Sequence, residues 1–117
     1  MRQPSCHAVH AALMRAIAAI IGVDAADAAA PQLLLRQADC TDWASITLVG
    51  QRHDLDIALL APRRLAPALA TRVQAQLAER EIPLHGQFIA DIAVVIAEPD
   101  AEAAAVSLLI TALAIYD

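Results

Sequence analysis

The sequence has no lysine, three glycines, three aromatic residues and two cysteines in 117 positions. Each scarcity excludes something. Without lysine, and with eight arginines set against thirteen acidic residues for a formal charge of −5, there is no clustered basic surface to grip nucleic acid or an anionic membrane. Two cysteines, Cys6 and Cys40, are too few for a disulfide framework and lack CxxC spacing, so a reducing cytoplasm is the expected setting. Aromatics at 3% in a chain that is 59% hydrophobic leave Ala, Leu, Ile and Val to build the interior, which demands regular, closely packed elements. Absence of lysine beside abundant alanine points to a GC-rich genome. Alanine is therefore discounted as evidence of helix.

No apolar run reaches the roughly 20 residues that span a bilayer; the longest, 103–116, is interrupted by Ser107 and Thr111. The N-terminus imitates a signal peptide, but Arg15 shortens its apolar stretch, and Asp24, Asp27 and Pro31 spoil the cleavage region. A soluble, cytoplasmic protein of one domain, residues 1–117, is expected.

Pro4-Ser5 reads as a helix start, and Cys6, His10, Leu13, Ile17, Ile20 and Ile21 draw one stripe along a helix that ends near Gly22. Residues 24–31 are an Ala-rich linker without period, closing on Pro31. Strand signals follow at 33–36, 43–49 and 55–59, with turns expected at Cys40-Thr41-Asp42 and at Gly50 to His53. Pro62 opens a second helix, in which Leu65, Leu69, Val73 and Leu77 repeat at i+4 and which ends before Pro83. Residues 88–97 are apolar on both faces, the pattern of a central strand. The last segment, 101–116, reads as a helix or a strand, and Val106, Ile110, Thr111, Ile115 and Tyr116 favour a strand hairpinned with 88–97 across Pro99. The expected fold is α+β: two helices with a mostly antiparallel five-stranded sheet, in the order α-βββ-α-ββ.

Trp43-Ala44-Ser45, Gly50 with Arg52-His53, and Gly86 to Asp91 ahead of a terminal apolar strand form a pattern that resembles a group of small uncharacterised bacterial proteins with W-A-S, G-x-R-H and G-H-x-V-A-D motifs. The likeness covers residues 40–117, and Gln87 stands where those proteins usually have His. It implies the strand reading of the C-terminus and no function. The element order alone is also similar to the small acidic dimeric chaperones of type III secretion, an analogy of fold only.

Candidate chemistry is sparse. Cys6 and His10 share a helix face one turn apart, and with His7 make a partial metal-ligand set; packing explains the first two as well, and three donors are fewer than a closed zinc site needs. Asp54 and Asp56 lie on one side of a strand beside Arg52 and His53, as acid-base carboxylates or as a solvated face opposite Leu55, Ile57 and Leu59. Asp91 interrupts an apolar strand, so it needs a partner such as Arg36, Arg52 or a backbone amide, or else serves as a base with His53, Asp54 or His85. Trp43, Arg52, Arg63 and Arg64 are candidate binding residues, the last two where a helix opens. Phosphate loops, nucleophile elbows and zinc-protease signatures are missing, and no cofactor is implied. The sequence favours a non-enzymatic binding or assembly module acting as a homodimer, with a small enzyme or ligand-binding pocket around Asp91 as the alternative. The two separate on whether Asp91, His53, Asp54 and His85 converge.

Overall fold

A computed structural model describes residues 5–22, 31–97 and 105–117. The first helix, α1 (Ser5–Ile21), buries Val9, Leu13, Ile17, Ile20 and Ile21 at steps of one turn and leaves Arg15 and Ala19 outside. Gly22 ends it at φ +79°, its N–H bonded to the Ala18 carbonyl at 2.9 Å; glycine adopts that left-handed conformation without steric cost. Two strands follow, β1 (Gln32–Ala44) and β2 (Val49–Leu60). Helix α2 (Ala66–Gln76) carries Pro67 in its first turn, where a missing N–H leaves no bond unmade, and runs on as a 3-10 turn over Leu77–Glu79. The chain closes with β3 (Gln87–Ala97) and β4 (Ala105–Tyr116).

All neighbouring strands are antiparallel, in the order β1-β2-β4-β3. Among the described residues the sheet therefore has four strands, not five. The expected strands at 33–36 and 43–49 are largely one: β1 runs through Cys40-Thr41-Asp42, absorbing a register irregularity between Leu35 and Gln37 as a bulge rather than turning. The hairpin turn lies at 45–48, ahead of the expected Gly50–His53. There the Ser45 N–H donates to the Leu48 carbonyl at 2.8 Å, and the Leu48 N–H donates to Ser45 Oγ at 3.1 Å. A serine side chain that replaces a backbone partner made this the turn, and Ile46 and Leu48 are exposed at its tip although their β propensity argued for a strand. Gly50 is needed for a different reason: a Cβ there would run into the backbone carbonyl of Ala114 on β4.

Residues 105–116 form a strand, as the β-branched residues indicated, and pair with β3. The central strands are β2 and β4. Segment 88–97, expected at the centre, is an edge. The 24–31 linker and the Pro99 turn lie outside the described residues, apart from Pro31.

Both helices lie on one face. Leu55, Ile57 and Leu59 of β2 and Val106, Leu108, Ile110, Ala112 and Ala114 of β4 form its buried floor, under Leu13 and Ile17 of α1 and Leu69, Val73 and Leu77 of the second helix and its extension. Leu65, expected in that last stripe, is exposed ahead of the first helical turn. Gln74 of α2 also donates to the Val94 carbonyl at 2.9 Å, fastening the helix to the edge strand β3. No helix among the described residues is long and apolar enough to cross a membrane.

Candidate functional site

The densest polar chemistry sits under the N-terminal half of α1. Alternation along β2 turns Gln51 and His53 toward the helices, continuous with Leu55, Ile57 and Leu59, and both are almost completely buried. Cys40 of β1 is registered with His53. One turn apart on the helix, Cys6 and His10 descend on this pair. Cys6 and Cys40 are joined in a disulfide across 34 positions of sequence, with their Cα atoms 6.1 Å apart. That pairing corrects the reading of two isolated thiols and removes the cysteine argument for a reducing compartment. Gln51 Nε2 donates to Cys6 Sγ at 3.2 Å.

His10 Nε2 and His53 Nδ1 are 3.0 Å apart, with the rings perpendicular. One of the two facing nitrogens donates and the other accepts, according to the tautomer. His53 Nε2, on the far side of its ring, is buried and has no hydrogen-bond partner among the described residues.

Burial, and next the neighbouring imidazole of His10, push the His53 pKa down to about 4 against the opposing pull of Asp54; burial and His7 lower that of His10 against Asp39. Both rings are neutral at pH 7. The linkage sign follows: between about 4 and 6.5 the unfolded chain binds a proton at His53 that the folded chain refuses, so stability falls as pH falls through that window. The expected loss for His53 is about 3 kcal/mol by pH 4. Urea midpoints at pH 7, 5.5 and 4.5 check it. A His53→Gln variant should flatten much of the slope, and a wild-type midpoint that stays level would contradict the buried neutral ring.

The opposite face of the sheet carries the other candidates. Asp54 and Asp56 point there, half-buried, and Asp56 Oδ1 is buried with no hydrogen-bond partner among the described residues, so this is not a simply solvated face. Asp54 accepts from Thr111 Oγ1 at 3.0 Å and lies 3.6 Å from the Arg52 guanidinium; Asp54 and Thr111, with Gln37, Asp39 and Leu109, border a shallow depression of about 320 Å³. Asp91 is exposed on the edge strand, beside a bulge between Ile89 and Asp91, so the buried setting expected for it is corrected and the need for a counter-charge disappears. Of its expected partners, Arg52 pairs with Asp54, and Arg36 reaches across β2 to donate to Ser107 Oγ at 3.2 Å. An apolar run does not distinguish an edge strand from a central one.

His53 thus faces the helices while Asp54 and Asp91 face away from them with β4 between, and His85 is exposed in the loop before β3. The four do not converge. His7 is exposed and turned off the Cys6–His10 stripe, Arg63 and Arg64 lie in the turn before α2, and Trp43 is half-buried opposite Gly50. Sequence reasoning placed Cys6 with His10 but missed that Cys40 and His53 complete the group. The signal was present in the alternation that puts His53 in phase with Leu55, Ile57 and Leu59.

No family model, curated protein or solved structure matches this chain.

Proposed function

We propose that the protein is a non-enzymatic assembly module that works as a homodimer through the helix-free face of its sheet. One observation carries the reading. Among the described residues both helices cover the same side, and the other presents large apolar side chains to solvent: Phe88 and Val95 of β3, Leu109 of β4 and Leu34 of β1, with Val95 57% and Leu109 41% exposed. Isolated exposed leucines are ordinary, but Leu109 and Val95 are register partners on a face that no described element covers, and such a pairing marks an interaction surface.

Charge selects which part of the face meets its copy. Asp39 and Asp54 are directly paired across β1 and β2, and Asp56 follows on the same side. A two-fold axis over that row would set carboxylates against their own images in chains that each carry −5. The axis belongs over the Leu109–Val95 pair of β4 and β3, four positions along β3 from the exposed Asp91 on the same face.

Light scattering at micromolar concentration should then give twice the 12.3 kDa chain mass. Leu109→Glu with Val95→Glu should return a folded monomer, and added salt should tighten the wild-type dimer by screening its like charges. A wild-type chain that stays monomeric across the whole concentration series would remove the proposal.

A further inference from the structure

The group under α1 contains two sulfurs and two imidazoles brought in by three different elements. In the disulfide-bonded form no set of three or more His, Cys, Asp or Glu side chains among the described residues is able to hold a metal ion. Reduction changes the donor inventory. A dithiol attacks one sulfur of the Cys6–Cys40 bond, forming a mixed disulfide and expelling the other sulfur as a thiolate. Its second thiol then displaces the first, so that two electrons and two protons end on Cys6 and Cys40 and the reductant leaves as its own disulfide. Two thiols then stand beside two neutral imidazoles.

We propose that the reduced protein binds one zinc-class divalent ion through Cys6, His10, Cys40 and His53, and that the disulfide is the metal-free state of this site. Three observations lead here independently of the dimer reading. Cys6 and His10 are spaced i, i+4 on a helix and Cys40 and His53 are registered across two strands, two pairs of donors that each share a face. The 3.0 Å between His10 Nε2 and His53 Nδ1 is close to the roughly 3.3 Å that separates two nitrogens bound tetrahedrally at about 2.0 Å from one zinc. Finally, Cys6 and Cys40 already meet beside the two rings, their Cα atoms 6.1 Å apart, so both thiols remain next to the imidazoles once the bond between them is reduced. A set of two thiolates and two imidazoles suits zinc over magnesium or calcium, which prefer oxygen. Binding forms two metal–sulfur and two metal–nitrogen bonds, and the two thiol protons leave to solvent.

The test uses the full chain, reduced with a dithiol and freed of it under nitrogen. Cobalt(II) is the probe, because tetrahedral thiolate coordination gives intense visible bands that unligated cobalt lacks. Expected are bands that saturate at one cobalt per chain, their loss when zinc is added, and no bands from the oxidised protein. Cys40→Ser and His53→Gln should each lose most of the intensity. If the reduced apo-chain is unfolded, zinc should restore its circular dichroism, since metal binding then drives folding. Reduced protein that yields no bands with cobalt and no refolding with zinc overturns the proposal. So do bands that persist unchanged in a His10→Gln, His53→Gln double variant, because cysteines of an unfolded chain alone would produce them.

Discussion

Replacing Cys6 and Cys40 together by serine should lower stability by about 4 kcal/mol in the absence of metal, the loop-closure entropy that a cross-link spanning 34 positions removes from the unfolded chain. For a chain of this length that corresponds to a fall in melting temperature of roughly 15 °C. Calorimetry of the double variant against the oxidised wild type reads it directly, and dithiol treatment of the wild type should reproduce the shift. The effect is large against a whole-domain stability of about 5–15 kcal/mol. Its location is specific as well: the bond ties the start of α1 to β1, so hydrogen exchange should rise first in residues 5–12. A double variant that melts with the wild type would mean that the two sulfurs are not joined in the folded protein.

Ile57→Ala should cost about 2–5 kcal/mol, and Ile57→Val about 0.5–1.5. Ile57 is fully buried on β2, registered with Leu35 on one side and Leu108 on the other, at the centre of the floor beneath both helices. Truncation leaves a cavity that the flanking strands cannot close, because each is held by its own ladder of backbone bonds. Leu109 gives the matching control. It is a neighbour of Leu108 in sequence but points to the other face, where Leu109→Ala should leave the denaturant midpoint of the isolated monomer nearly unchanged while weakening self-association. Urea melts of the three variants check the pair of expectations, and equal losses at 57 and 109 would show that both faces are covered.

Periodicity made the helices and the burial of β2 legible. Leu13 and Ile17 at one-turn spacing, and Leu55, Ile57 and Leu59 at alternate positions, each have one buried face, and a side chain's face follows from geometry close to it in the chain. Strand order was not legible, since it depends on which hairpins dock. Residues 88–97 read as central because they are apolar throughout, whereas they form an edge whose inner side chains lie under α2 and whose outer ones are open. The error carried over to Asp91, whose importance rested on burial that an edge strand does not impose. The cluster under α1 was half legible. Helical spacing joined Cys6 to His10, but Cys40 and His53 join each other only once β1 and β2 are paired in register, a long-range fact that no local pattern contains. Thr41-Asp42 carried turn chemistry that the β ladder overrode, and Ser45 supplied the turn instead.

The order β1-β2-β4-β3 also divides the molecule in time. Each outer strand pairs with its neighbour in sequence, so two hairpins form from contacts close along the chain, whereas β2 and β4 meet only after α2 and β3 have been traversed. Closing that span is the slow entropic step, because no reward arrives until the ends meet. Substitutions at the β2–β4 seam, such as Ala58→Gly, should therefore slow refolding in stopped-flow experiments, while changes at the 45–48 tip should mainly hasten unfolding. Until the seam closes, β2 and β4 are both open edges, and each is a template for the other's counterpart in a second chain. At high concentration the same topology thus offers a route by which two copies exchange their C-terminal hairpins, and dilution during refolding is what keeps the seam within one chain.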